Sequence, residues 1–211
     1  MLNIRAFVFN AYGENCYVLT LEGSSQAVIV DPGCGPGAEQ EHFLRWLGDQ
    51  GLRPAAVLLT HAHPDHIGGV KALQDRYGLP VYMGEEEKTV FKLDFATTPV
   101  EDGQILELAG LRVEVITTPG HTPGGVCYLL REDKAMFTGD TLFRGTIGRT
   151  DLPGGDYDKL IVSVMEKLMG LDADIEIYPG HGPSSSISDE RTNNPFLQPF
   201  NEPWEGIDSI D

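Results

Sequence analysis

The segment 60-THAHPDHIGG-69 decides how the rest of the chain is read. Three of the protein's six histidines fall inside it, with an aspartate among them. An extended backbone sends residues two apart to the same side, so His61 and His63 can address one cation. Pro64 favours a turn, and Asp65 and His66 then stand where a helix begins. That redirects their side chains to a neighbouring position. A solvated histidine-rich loop would ask nothing more of the chain. A metal cage requires further ligands from elsewhere.

Those ligands occur at a recurrent kind of place. The quoted segment follows the apolar run 55-AAVLL-59. In the same way 111-LRVEVIT-117 leads into 118-TPGH-121, 134-KAMF-137 into 138-TGD-140, and 174-DIEIY-178 into 179-PGH-181. The run 27-AVIV-30 leads into 31-DPG-33. Each apolar, β-rich run reads as a strand that delivers an ionisable residue just past its C-terminal end, and loops held by rigid strands are the usual site of chemistry. If those ends share one edge, His61, His63, His66, His121 and His181 converge. His42 is left on a helix and reads as a surface residue.

The spacing predicts two neighbouring ions. His61, His63 and His121 form a three-histidine set with an open coordination position, the arrangement that lets a catalytic zinc hold a water. Asp65, His66 and His181 form a second set, and Asp140 bridges both with its two oxygens. Ions about 3.5–4 Å apart would acidify a shared water and clamp an oxyanion during attack. The nucleophile is then hydroxide, and the GxSxG, HExxH and Walker A patterns are all missing. Asp31 either orients a ligand histidine from behind or ties down its own DPG turn. A closed structural zinc would need four ligands and would typically use cysteine, which fits seven ligands at strand ends poorly.

Composition narrows the function classes. The chain has 211 residues and a formal charge of −17, from 15 basic and 32 acidic side chains. Nucleic acid and anionic membranes are disfavoured as partners, because both need a basic footprint. No apolar run approaches the ~20 residues of a membrane helix. The start, MLNIRAFVF, does not read as a signal peptide, so a cytoplasmic location is expected. Cys16, Cys34 and Cys127 show no CxxC spacing and read as free thiols.

Apolar stripes at Phe43, Leu44, Trp46 and Leu47, at Ile67, Val70 and Leu73, and at Leu160, Ile161, Val164 and Leu168 predict amphipathic helices. Strands outnumber helices and the two are interleaved, which suits two packed sheets with helices on the outer faces. No linker interrupts the chain, so residues 1–211 read as one domain, with 183–211 as a C-terminal helix and extended arm. Ser186 and Asp189 form a candidate capping box opening that helix.

The elements 61-HAHPDH-66, 118-TPGH-121, 138-TGD-140 and 179-PGH-181 resemble the metallo-β-lactamase superfamily in order, spacing and flanks. The resemblance implies an α/β fold, the four-layer αββα metallo-β-lactamase sandwich. It implies metal ligands at His61, His63, Asp65, His66, His121, Asp140 and His181, with Asp65 also orienting the hydroxide as the catalytic residue. The stretches 140-DTLFRGTIGRTDLPGGD-156 and 190-ERTNNPF-196 are similar to the short glyoxalase II-like hydrolases. They imply cleavage of a small-molecule thioester such as S-lactoylglutathione by a metal-bridging hydroxide, with zinc expected and iron or manganese also accommodated. The same GRTD and ERTxNP segments resemble the persulfide dioxygenases, whose single iron His61, His121 and Asp140 would supply. Lactone hydrolases remain a further alternative. Arg144 and Arg149 are candidates for holding a substrate carboxylate, although Arg149 is also placed to pair with Asp151. Tyr17 and Phe143 are candidates for the pocket wall, or for core. Oligomeric state does not follow from these residues.

Overall fold

The computed structural model describes residues 1–198. Of the C-terminal helix and arm expected over 183–211, residues 199–211 lie outside the described residues. Six strands form the first sheet: β1 (Leu2–Phe9), β2 (Glu14–Leu21), β3 (Gln26–Val30), β4 (Arg53–Leu58), β5 (Val81–Gly84) and β6 (Thr98–Val100), adjacent in that order. β1, β2 and β3 pair antiparallel, and β3 to β6 run parallel.

The second sheet is built from β7 (Ile105–Leu108), β8 (Leu111–Thr117), β9 (Val126–Leu130) and β10 (Ala135–Gly139), paired antiparallel in sequence order. A small hairpin follows, β11 (Leu142–Phe143) with β12 (Thr146–Ile147). β13 (Glu176–Pro179) then returns parallel to β10, and β14 (Ser185–Ser186) closes the edge.

The helices are α1 (Ala38–Asp49), α2 (Pro64–Ile67), α3 (Val70–Tyr77), α4 (Tyr157–Val162) and α5 (Ile187–Asn193). The stripe expected at Ile67, Val70 and Leu73 is therefore split between α2 and α3. Gly68 and Gly69 lie against the backbone of Pro32 to Cys34, where a side chain would collide. The stripe from Leu160 to Leu168 begins as α4 and continues as a π-helical segment, Ser163–Leu168.

Strand periodicity explains the layering. Ile29, Val57 and Leu59 face Phe43, Leu47, Val70 and Leu73 of the helices on one side. Their alternates Val28, Val30 and Leu58 face Val113, Val115, Val126, Tyr128 and Phe137 of the other sheet. On the far side Cys127, Leu129, Met136 and Ile177 pack under Leu160, Val164, Leu168 and Ile187. Three apolar interfaces thus separate helices, sheet, sheet and helices, the αββα sandwich. Strands buried on both faces read as continuous apolar runs, as VCYLL in β9 does. All three cysteines are free and buried. No helix among the described residues is long and apolar enough to cross a membrane.

The end of the described chain is tied to the hairpin. The Ser186 hydroxyl accepts from the Asp189 amide at 3.1 Å and opens α5. Buried Glu190 accepts from the Gly145 amide at 2.8 Å, from the Ser185 hydroxyl, and from Asn194 Nδ2 at 2.8 Å. Asn194 Nδ2 also donates to the Thr146 carbonyl, and Arg191 donates to the carbonyls of Met169 and Leu171. The ERTNNP motif is a latch holding this helix against β11, β12 and the end of the π-helical segment.

Candidate metal centre

The C-terminal ends of β4, β8, β10 and β13 open onto one edge of the sandwich, and the loops beyond them meet. His61 and His63 follow β4, His121 follows β8, Asp140 follows β10, and His181 follows β13. Pro64 occupies the first turn of α2, which sets Asp65 and His66 on a helical backbone directly after extended His63. The start of β2 is stitched to the His181 loop. The Asn15 amide donates to the Gly180 carbonyl at 2.7 Å, and its Nδ2 to those of Pro179 and Gly182.

Hydrogen bonds fix which nitrogen faces the centre in four of the five imidazoles. The Thr60 hydroxyl gives its single proton to Asp31 Oδ2 at 2.6 Å, so at 3.0 Å it accepts from His61 Nδ1. His61 Nε2 is therefore a bare lone pair, and it is buried with no hydrogen-bond partner. His121 Nδ1 donates to the Arg149 carbonyl at 2.7 Å and His181 Nδ1 to that of Tyr12 at 3.1 Å. His66 Nδ1 meets Asp31 Oδ2 at 3.1 Å. Four imidazoles are anchored through Nδ1 and turn Nε2 inward, the support that ligating histidines require.

The inward atoms form two sets. His121 Nε2 lies 2.9 Å from His63 Nδ1, and both group with His61, their ligand atoms within 4.8 Å of one another. Asp65, His66 and His181 form the other set: His66 Nε2 is 3.3 Å from His181 Nε2, which is 3.3 Å from Asp65 Oδ2. Asp140 stands between them. Its Oδ2 is 3.4 Å from His121 Nε2, its Oδ1 is 3.5 Å from His66 Nε2, and Oδ1 is buried without a hydrogen-bond partner. Gly180 makes room for this: a Cβ there would come within 2.6 Å of His66 Cε1.

Electrostatics divide the sets as well. Burial, aided by neighbouring His66 and His121, holds His61 well below the ordinary histidine range. Burial and His121 push His63 down to about 4. His121 is likewise lowered, by burial foremost. These three are neutral near pH 7, the form that coordinates a cation. At His66 burial opposes the charge, but Asp140 and Asp31 outweigh it and raise the pKa to about 10. At Asp65 burial is likewise opposed, by the His181 hydrogen bond and His66, which lower it to about 2. Clustered lone pairs, an orphaned imidazole nitrogen and an orphaned carboxylate oxygen suit divalent metal ions, since polar atoms buried without partners are costly.

A cavity of about 520 Å³ opens over the centre, walled by Tyr12, Phe143, Leu152 and Arg149 above His63 and Asp140. The remaining candidate residues separate here by position. Arg149 lines the cavity, but its fork is paired with Asp151 at 2.7 and 2.8 Å. Arg144 instead lines a separate groove with Asp174, Glu176 and Ser185. It occupies the two-residue tip of the β11–β12 hairpin beside Gly145, apart from the residues that line the metal cavity. Phe143 lines the cavity, whereas Tyr17 is core, its ring tilted against Phe137 and its hydroxyl donating to the Pro179 carbonyl. His42 is exposed on α1.

Two carboxyl groups of the interior carry no mark in the sequence. Glu14 is fully buried with neither oxygen partnered, and burial foremost pushes its pKa to about 10. Its backbone bridges to His181 across the sheets. Glu87 is also fully buried. Glu14 opens β2 and Glu87 is one of three consecutive glutamates after β5, and acidic residues at strand ends are common.

The Metallo-beta-lactamase superfamily model matches residues 10–181. Hydroxyacylglutathione hydrolase GloC of Haemophilus influenzae is 36% identical, covering 93% of this chain and 98% of its own. Among solved structures, BLEG-1 B3 metallo-beta-lactamase superposes with a TM-score of 0.82 at 34% identity, over 93% of this chain and 99% of its own. TTHA1623 in a di-iron-bound form superposes at 0.80 and 35% identity, over 92% and 100%. ETHE1 from Myxococcus xanthus superposes at 0.78 and 29% identity, over 96% and 92%.

Proposed function

The chain belongs to the metallo-β-lactamase superfamily, and from that premise we propose that it is a metal-dependent hydrolase cleaving a small-molecule thioester such as S-lactoylglutathione. The observation that carries this reading is Asp140, one oxygen toward His121 and the other toward His66, set between two complete ligand groups. His61, His63 and His121 would hold one divalent ion, Asp65, His66 and His181 the other, and Asp140 would serve both. Zinc is the expected metal, and the mixed nitrogen and oxygen donors also accept iron or manganese. When bound, such a pair supplies an acidified water as nucleophile and Lewis-acid polarisation of the scissile carbonyl.

The chain's own residues supply the rest. Asp65, held ionised, accepts a hydrogen bond from the attacking water and so aims it across the cavity. Tyr12, Phe143 and Leu152 give the acyl group an apolar wall. The leaving thiol, with a pKa near 8.5, departs as thiolate and needs no proton donor. Similarity to GloC over nearly the whole of both chains supports the thioester. Arg149 keeps Nη1 outside its exposed pair with Asp151, a donor a substrate carboxylate would meet at the cavity wall.

A second reading rests on the likeness to ETHE1: oxidation of glutathione persulfide at one iron held by His61, His121 and Asp140. Metal analysis with paired assays separates the two. About two ions per chain and thiol release from S-lactoylglutathione support the hydrolase. One iron per chain with oxygen consumption on glutathione persulfide overturns it.

A further inference from the structure

We propose that Glu87 is a positioning residue for the first ion, clamping together the two loops that carry His61, His63 and His121. This rests on the reading of those three histidines as one ion's ligands. Glu87 lies in the 3-10 turn Glu85–Thr89 after β5, and its side chain is fully buried. Its Oε2 accepts from the Ala62 amide at 2.7 Å and its Oε1 from the Gly124 amide at 2.8 Å. Ala62 sits between His61 and His63, on the loop leaving the first sheet. Gly124 lies three residues past His121, on the β8–β9 loop of the second sheet. One carboxylate thus spans the two sheets at the point where their ligands must meet.

The chemistry calls for a carboxylate. Two backbone N–H groups, each outside the sheet ladders, converge on one side chain, and only a carboxylate offers two acceptor oxygens in that geometry. An amide would turn an NH2 toward one of the donors. Approach is close enough to demand glycine: a Cβ on Gly124 would lie 2.7 Å from the Glu87 backbone nitrogen and 3.1 Å from Oε1. The contacts leave the imidazole nitrogens untouched, so Glu87 acts through loop position. The second group, Asp65, His66 and His181, is held by α2, Asp31 and the Tyr12 carbonyl instead. The clamp therefore acts on one ion and not on the other.

Zinc affinity, read by competition with a chelating dye, tests this in single-site backgrounds. His181→Ala keeps the first site and His63→Ala keeps the second. Adding Glu87→Gln to His181→Ala is expected to weaken zinc about tenfold, as loss of a ligand's support typically does. Adding it to His63→Ala is expected to change nothing. Gly124→Ala, which crowds the carboxylate without removing it, is expected to repeat the selective loss and decides the matter if Glu87→Gln does not fold. Equal weakening in both backgrounds, or none in the first, overturns the clamp. If His181→Ala and His63→Ala each still take up two ions, the ligand reading itself falls, and the clamp with it.

Discussion

Asp31 Oδ2 lies 3.1 Å from His66 Nδ1, with both side chains out of solvent. The same carboxylate accepts from the Thr60 amide at 2.8 Å and the Thr60 hydroxyl at 2.6 Å. Asp31 thus sets His66 directly and His61 through Thr60, one ligand from each group. It does so from a backbone with φ of 46°, a region non-glycine residues seldom occupy and one often met at functional sites. Asp31→Asn is expected to weaken zinc about 10–100-fold, with the larger part at the second ion. Dye competition in the two single-site backgrounds measures it, and unchanged affinity in both would remove Asp31 from the centre.

Asp140 touches both ligand groups and His181 only one. Asp140→Ala is therefore expected to lower both metal occupancies, whereas His181→Ala retains about one ion per chain. Elemental analysis of the purified variants reads this directly. Full occupancy or full thioesterase activity in either variant refutes the assignment.

Glu190 holds the hairpin that presents Phe143 to the cavity. Glu190→Ala leaves the Gly145 amide and Asn194 side chain without their buried acceptor, a cost of about 1–3 kcal/mol. Urea denaturation should show the loss, and KM should rise more than kcat falls, because the wall moves while the ligands stay. A variant of unaltered stability and KM would rule out the latch.

Asp102 is the site of a pH effect remote from the histidines. It accepts from the Thr117 amide at 2.7 Å, the Thr117 hydroxyl at 2.9 Å and Lys167 Nζ at 3.0 Å. Burial works against its charge, but these donors outweigh it and hold the pKa below the ordinary carboxylate value. A depressed folded pKa contributes stability above the unfolded value, near 3.9, that is lost as pH falls through the folded one. Asp102→Asn should therefore be less stable than the parent at pH 7, and the gap should close below about pH 4. A gap that widens in acid would contradict the assignment.

Much of the fold could be read along the chain because its strong strands are long and apolar on both faces. β9 and β10 were legible for that reason, and β8 for its alternation of Leu111, Val113 and Val115 with Arg112 and Glu114. β5, β6 and β7 were not: they hold three or four residues each, and β6 carries Pro99. Such short segments owe their strand form to neighbours already in place. The break at Gly68 and Gly69 is hidden because the periodicity of Ile67, Val70 and Leu73 runs straight through it.

The sequence by itself singled out the histidines and aspartates that the fold brings together. Ligand type, the i, i+2 spacing of His61 and His63, and delivery of each group past a strand end are local properties, and local geometry survives translation into a fold. Only the tertiary structure decided which nitrogen of four histidines faces inward, that Arg144 lines another groove, and that Asp31 and Glu87 hydrogen-bond to the loops carrying those histidines. Those outcomes depend on contacts between segments far apart in the chain, Asp31 with His66, Glu87 with Gly124, Tyr12 with His181. Such contacts come into being when two sheets pack, and no short window of residues encodes them.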